Sequence, residues 1–564
     1  MIYCIIQKEE FIMEYKNILS FIEEKTKEQE NHIALGIRSS LGWSEMTFKG
    51  LGVLSRRLAS YLIDLGIKKG DKVAILSESM PELGATLFAN VLAGAVSVPL
   101  DIKLTIHELN HILSDCMPRV ILASSSHLND AIKLKSMIGS IEHIIIIDGK
   151  GANKDYTNLR TLEDMPDKKW RHRSLDKTAL IVYTSGTTGN PKGVEITYRN
   201  IFSQVIAIGK CFNFTPNDAM LSILPMNHLF EISVGFMSFL NKGASIYYSN
   251  SLKPKDIFPI MQEKKISFMV GVPAFLKLLK TTLEAEIKQY GPFKKAFFEF
   301  KFLISRTIKN RPLARLMFRE LRNKFGRKFK GFMSGGAPLD IDVAKFFEYI
   351  GLPIYEVYGL SEASPIITMN TEKHKRIGSV GKPIYNVKVR LDKETKELQV
   401  KGDNIMKGYY NKPELTKEVI TPDGWLRTGD VAKIDSHGYI YITGRIKNMI
   451  VLSGGKKVFP EEVEAVLAQS PIIEETMVYS ETIKAGSKKG TEGIVAKVHP
   501  KKEILEKYPD DLELEKLIKS EVKKLSLELS SYKRPTTVIV TRTPLPRTGI
   551  SKVSRKKAKE KQAV

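Results

Sequence analysis

An α/β fold is predicted by the alternation of apolar runs with longer helical patterns from roughly residue 50 to 390. The runs KVAIL, AVSVPL, RVILAS, HIIIID and ALIVY (residues 72–76, 95–100, 119–124, 143–148 and 179–183) are apolar almost throughout, as parallel strands buried on both faces are. The helical patterns between them have the length of crossover connections. Beyond residue 390 the texture changes to VKVRLD, KELQVKG, YIYITGR and NMIVLS, short alternating strands broken by the turns DGW and HGY, which read as antiparallel sheet. FPEEVEAVLAQ and LEKLIKSEVKKLSLEL then predict helices before a lysine-rich tail. The expected architecture is a large N-terminal domain of parallel sheets and crossover helices, a small antiparallel subdomain, and a small α+β C-terminal domain.

The chain has 564 residues, 43% of them hydrophobic and 27% charged, enough for several structural units around sizeable cores. Its net charge of +24 favours anionic partners: nucleotides, nucleic acid or acidic lipid surfaces. The three cysteines, Cys4, Cys116 and Cys211, form no CxxC pair, so a disulfide framework is not expected and a reducing cytoplasm fits. No stretch reaches the ~18 apolar residues of a membrane span. The start, MIYCIIQKEEFIMEYK, is not expected to act as a signal peptide. Met13 opens a better amphipathic helix than the residues before it, so 1–12 are expected to be an appendage or a mis-assigned start. The triplet Asn213–Thr215 would accept a glycan only in a secreted protein, which nothing else suggests.

Charge concentrates in one place. Residues 288–330 hold fourteen Lys or Arg against Glu299 and Glu320, a net +12, with Phe297, Phe298, Phe300, Phe302, Leu303, Leu316, Phe318 and Phe325 interleaved. Two readings stand: an interfacial amphipathic helix on anionic lipid, or a solvated basic face whose aromatics enter the core.

After the apolar run ALIVY come Thr184, Ser185, Gly186, Thr187, Thr188, Gly189, Asn190, Pro191, Lys192 and Gly193. A strand followed by glycines, hydroxyls and a lysine suits phosphate binding, because glycines let backbone N–H groups approach and hydroxyls donate to phosphate oxygens. The spacing is not that of a Walker A loop. The alternative is a flexible surface loop. The stretch His107-Glu108-Leu109-Asn110-His111 matches H-E-x-x-H of zinc proteases. Thr105 as an N-cap and Ile106, Leu109, Ile112 and Leu113 as an apolar face make a structural helix the preferred reading.

As a string, YTSGTTGNPKGV resembles the signature of the adenylate-forming superfamily, which includes acyl-CoA synthetases, beetle luciferases and peptide-synthetase adenylation domains. The resemblance runs from GIKKGDKVAIL near residue 66 to LPRTGISKVSR near 545, with motifs in the family's order. It implies that Thr184 to Lys192 hold phosphates, and that Gly335, Gly336 and Ala337 border the adenine and acyl pocket. It implies that Tyr358 and Gly359 pack by the adenine, that Ser361, in place of the usual threonine, reaches the α-phosphate, and that Glu362, with Thr184, holds Mg²⁺. Asp430 and Arg445 become ribose partners. Lys447 falls at the family's hinge, dividing an adenylation domain 1–446, with its basic helical insertion at about 283–330, from a mobile C-terminal domain 447–564. Lys552, in PRTGISK with Ser551 for the usual glycine, resembles the lysine that donates to the reacting carboxylate. Asn448 replaces a frequent aspartate and Tyr198 a common histidine.

Within the superfamily, LPMNHLFE at Leu224–Glu231, VGVPAF, the long insertion before SGGAPL and YGLSEASP resemble long-chain fatty acyl-CoA synthetases. His228 is then expected near the carboxylate and thiol passage, or as a buried structural histidine. The resemblance implies ATP, Mg²⁺ and CoA, a fatty acid substrate and an acyl-AMP intermediate. Acyl carrier protein, an acidic partner suited to the +24 charge, is the alternative acceptor, and release as acyl-AMP a further one. From another class, an inactive basic protein on membranes or nucleic acid would also account for the charge, but the motifs argue against it and no nucleic-acid partner is expected.

Overall fold

Val73 and Ile75 of the strand Lys72–Leu76 enter one hydrophobic core, while Ala74 and Leu76 enter another. Val120 and Leu122 are divided from Ile121 and Ala123 in the same way, as is Ile145 from Ile144 and Ile146. Successive side chains of a strand point to opposite faces, so an unbroken apolar run requires a sheet covered on both sides.

The computed structural model describes residues 18–39, 42–149, 154–162, 165–171, 173–184, 191–452, 456–482 and 492–546. Contacts divide the chain into two units, Met1–Lys388 with Val400–Leu426, and Val389–Gln399 with Arg427–Val564.

In the first unit, one sheet of eight strands runs in the order Gly408–Tyr409, Lys192–Thr197, Thr178–Thr184, Val96–Pro99, Lys72–Leu76, Val120–Ala123, His143–Ile146, Thr157–Asn158. It is parallel except at Lys192–Thr197, which returns antiparallel to Thr178–Thr184, and at Gly408–Tyr409 beyond it. A second sheet of nine strands is parallel from Ile354–Gly359 through Gly331–Ser334, Phe268–Gly271, Ala219–Ser222 and Ser245–Tyr248 to Ile33–Ser39. Antiparallel strands close both of its edges. The helices Phe48–Asp64, Pro81–Ala93 and Tyr198–Cys211 share one core with residues of both sheets. Ile106–Cys116 and Leu128–Met137 cover the outer face of the first sheet. Pro254–Glu263, Pro273–Lys288 and Ile341–Tyr349 cover that of the second. The parallel-sheet reading of the large domain is borne out.

Thr105 caps Ile106–Cys116 as expected, and the bond is reciprocal: the Glu108 backbone N–H donates to Thr105 Oγ1, while the Thr105 N–H donates to Glu108 Oε2 at 2.8 Å. The glutamate of the H-E-x-x-H string is therefore engaged as a helix cap.

The basic stretch forms the helices Pro292–Ile308, Arg311–Met317 and Arg319–Asn323. Its aromatics divide between the core and the surface. Phe318 and Phe325 are buried with Phe298 and Phe302 packed against them, whereas Phe297, Phe300, Leu303 and Leu316 are exposed.

In the second unit, the strands Leu426–Ile434 and Ile440–Arg445 pair antiparallel within a four-stranded sheet with Lys388–Leu391 and Glu397–Lys401. A further sheet joins Ile473–Thr482, Glu492–Pro500 and Thr537–Val540, its last pair parallel across the helix Asp511–Leu525. Ile494, Ala496 and Val498 face that unit's core with Val463, Ile518 and Val522. The sequence shows the helices here more plainly than these strands, because Glu474, Glu475 and Lys497 interrupt their apolar pattern. Among the described residues, no helix is long and apolar enough to cross a membrane.

Candidate active site

Thr184 ends the strand Thr178–Thr184 and is paired across the hairpin with Lys192, which opens the returning strand. The loop that joins them, with Ser185, Gly186, Thr187, Thr188 and Gly189, lies outside the described residues, as does Lys552. From the hairpin root a chain of contacts leads to the expected metal carboxylate. Lys192 Nζ lies 5.2 Å from the centroid of the Tyr409 ring, and Tyr409 Oη donates to Glu362 Oε1 at 2.8 Å. Burial, aided by the Glu362 carboxylate, holds the Tyr409 phenol well above its ordinary pKa, so it remains a donor at any physiological pH.

Glu362 stands on the turn Ser361–Ala363, directly after the strand Ile354–Gly359 that carries Tyr358. Gly359 is required there: a Cβ at this position would lie 1.7 Å from the Pro365 carbonyl oxygen. Gly359→Ala is therefore expected to displace the turn and destabilise the first unit by about 3 kcal/mol. A thermal-shift measurement and loss of ATP binding check this, and an unchanged midpoint contradicts it.

Three buried amides hold the turn from behind. Gln204 Nε2 donates to the Ile366 carbonyl (3.1 Å) while Gln204 Oε1 accepts from the Ile366 N–H (3.0 Å). Asn404 Nδ2 donates to the carbonyls of Ala363 (3.2 Å) and Ile366 (3.1 Å). Asn200 Nδ2 donates to those of Asp403 and Ile405, both at 2.8 Å, and the Met406 N–H donates to the Glu362 carbonyl at 2.9 Å. With Tyr409, these are residues that the sequence reading missed. A signal existed: Asn200 and Gln204 are polar residues four apart on a helix whose Ile201, Val205 and Ile208 are all buried, and buried amides demand partners.

Gly335, Gly336 and Ala337 follow the strand Gly331–Ser334, which pairs with Ile354–Gly359, so their bend lies beside the approach to Tyr358. Gly336 has φ +84°, a conformation that favours glycine. A Cβ on Gly335 would meet the Val357 carbonyl oxygen at 3.0 Å and the Phe230 ring at 3.7 Å. Phe230 in turn belongs to the Leu224–Glu231 segment. His228 of that segment is half-buried, and burial lowers its pKa against the opposing charge of Asp101, so it is neutral at pH 7. Glu231 is fully buried, accepts from Ser222 Oγ at 2.6 Å, and burial pushes its carboxyl up to about 8. It carries a proton at neutral pH. The structure thus brings Thr184, Lys192, Tyr358, Gly359, Ser361, Glu362 and the Gly335–Ala337 bend into one contiguous set of contacts, with His228 on a neighbouring segment.

Within the second unit, Asp430 and Arg445 are cross-strand partners, and Arg445 Nε lies 2.7 Å from Asp430 Oδ1. The Gly429 N–H donates to Glu397 Oε1 at 2.8 Å, fixing the strand beside Asp430. Lys447 lies on the short turn Ile446–Asn448, and Asn448 Nδ2 donates to Glu461 Oε1 at 2.5 Å.

The donor set suits a hard divalent cation. Glu362 supplies a carboxylate held by one neutral hydroxyl donor, and Thr184 supplies a hydroxyl oxygen; Mg²⁺ takes such oxygens while keeping waters and substrate phosphates. Thr184 and Lys192 at the root of a strand pair in a largely parallel sheet, with a rigidly placed carboxylate beside them, define a nucleotide-binding α/β enzyme. More narrowly, a model of the AMP-binding enzyme family matches residues 22–410, and the chain belongs to that family. It is 28% identical over 486 residues to the long-chain-fatty-acid–CoA ligase FadD15 of Mycobacterium bovis, covering 82% of this chain and 80% of that one. It is also 28% identical over 444 residues to a feruloyl-CoA synthase of Amycolatopsis sp., covering 77% and 80%. The crystal structure of ATP-bound MatB from Rhodopseudomonas palustris superposes with a TM-score of 0.78 at 26% identity, covering 97% of this chain and 98% of that one.

Proposed function

We propose that the protein is an AMP-forming ligase that activates a medium- to long-chain fatty acid as acyl-AMP and transfers the acyl group to the thiol of CoA. The observation that carries this reading is the Glu362 carboxylate, fixed by Tyr409 and the buried amides next to the root of the Thr184–Lys192 hairpin. LPMNHLFE, YGLSEASP and the similarity to FadD15 support the fatty acid. The similarity to a feruloyl-CoA synthase favours an aromatic acid as the second reading.

In the first step the substrate carboxylate oxygen bonds to the α-phosphorus of ATP, and pyrophosphate leaves with the electrons of the broken bond. Thr184 to Lys192 hold phosphate oxygens, Ser361 approaches the α-phosphate, and Lys552 donates to the charge that develops on the reacting oxygens. Bound Mg²⁺ would neutralise charge on the phosphate oxygens, held by Glu362 with Thr184. Asp430 and Arg445 bind the ribose hydroxyls. In the second step the CoA thiol, losing its proton to solvent, attacks the acyl carbonyl carbon, and AMP leaves with the electrons of the broken carbon–oxygen bond. A swivel at Lys447, between 1–446 and 447–564, lets one site serve two transition states.

Thioester formation from palmitate, octanoate and ferulate, each with CoA or holo acyl carrier protein, tests the reading. Palmitoyl- or octanoyl-CoA is the expected product. Feruloyl-CoA alone moves the substrate to aromatic acids, and product only on the carrier protein moves the acceptor.

A further inference from the structure

The helix Pro292–Ile308 is apolar on two opposite sides. Its inner side is anchored: Phe298 and Phe302 pack against the outer core of the nine-stranded sheet, Phe302 meeting Tyr349 edge-on with centroids 5.5 Å apart, and Ser305 Oγ donates to the Tyr349 carbonyl at 2.6 Å. Its outer side carries Phe293 (91% exposed), Phe297 (57%), Phe300 (59%), Leu303 (59%) and Ile308 (56%). At about 100° per residue these side chains share one broad face opposite Phe298 and Phe302, and with a rise of about 1.5 Å per residue this stripe is about 22 Å long. A stripe of large apolar side chains facing water has a cost that a soluble surface does not require.

The rim identifies what covers it. Lys294, paired with Glu320 at 2.8 Å, and Lys301 follow one edge of the stripe, while Glu299 and Arg306 lie toward the other, within a segment of net charge +12. Lys301 Nζ lies 4.1 Å from the Phe297 ring centroid, its stem along the stripe and its ammonium at the edge. We infer that the outer face of Pro292–Ile308 is a docking surface for an anionic lipid bilayer, with the aromatics entering the headgroup–acyl boundary and the basic rim lying among lipid phosphates. A second copy of this chain is a poor occupant, since +12 would face +12. The inference does not rest on the proposed activity.

Cosedimentation of the full chain with vesicles, without ATP, tests it. Vesicles of phosphatidylcholine with equimolar phosphatidylglycerol are expected to bind the protein, pure phosphatidylcholine vesicles at least about tenfold more weakly, and added salt to weaken binding. The triple variant F293S/F297S/F300S is expected to lose about tenfold or more in partitioning. K294E/K295E/K301E is expected to lose at least as much, at about fivefold for each basic side chain near the surface. The substituted side chains are exposed, that of Lys301 in part, and the ion pair of Lys294 with Glu320 at 2.8 Å is a surface pair, so both variants keep the wild-type circular dichroism and a thermal midpoint close to that of the wild type. No cosedimentation with either vesicle, equal binding to both, or unchanged binding of the two variants would overturn the inference. So would capture by a soluble polyglutamate as tight as by the anionic vesicles.

Discussion

Glu362→Gln is expected to slow acyl-AMP formation by about 10²–10³-fold, because it removes the carboxylate proposed to hold the metal while retaining its shape. The amide keeps an oxygen to accept from Tyr409 Oη, and the buried bonds of Gln204 and Asn404 to the turn are untouched, so the fold is preserved. The loss is therefore read in chemistry and in Mg²⁺ dependence: a higher Mg²⁺ requirement with an unchanged thermal midpoint. Tyr409→Phe separates position from charge. It leaves the carboxylate but removes its donor, and a loss of about tenfold is expected, the scale of one hydrogen bond to a charged group. Equal activity of Glu362→Gln and the unchanged protein would remove Glu362 from the site.

The second large effect is that of Lys552→Ala, for which about 10²–10³-fold is again expected, confined to the first step. Its basis is the PRTGISK motif alone, since the residue lies outside those described. The discriminating measurement supplies acyl-AMP already made. If the lysine acts on the developing charge of adenylation, conversion of that acyl-AMP to the CoA thioester proceeds at close to the normal rate in the variant. A comparable loss in both steps would make Lys552 a structural or general binding residue instead.

What could be read from sequence follows the range of the interactions involved. KVAIL, RVILAS and HIIIID announce their strands because two-sided burial demands apolar residues at every position. Thr105 announces a helix start because capping is settled within four residues. The contacts around Glu362 depend on distant segments: Gln204 lies 162 positions from its partner Ile366, and Asn404 is 41 positions from Ala363. No local pattern reports such pairings. The motif string picked out Glu362, but what holds it in place emerges only from the fold. The basic helix shows the same limit. Composition could not divide its aromatics between core and surface, and the fold does, since Phe298 and Phe302 turn inward and Phe297 and Phe300 outward on one helix.

This chain is expected to form an acyl-adenylate from ATP and a fatty acid. Exchange of labelled pyrophosphate into ATP, with Mg²⁺ and palmitate and without any thiol, tests it most directly because it isolates the first step. Exchange that requires palmitate and falls with Glu362→Gln is the predicted result. Absence of exchange with palmitate, octanoate and every other carboxylic acid tried would contradict the account.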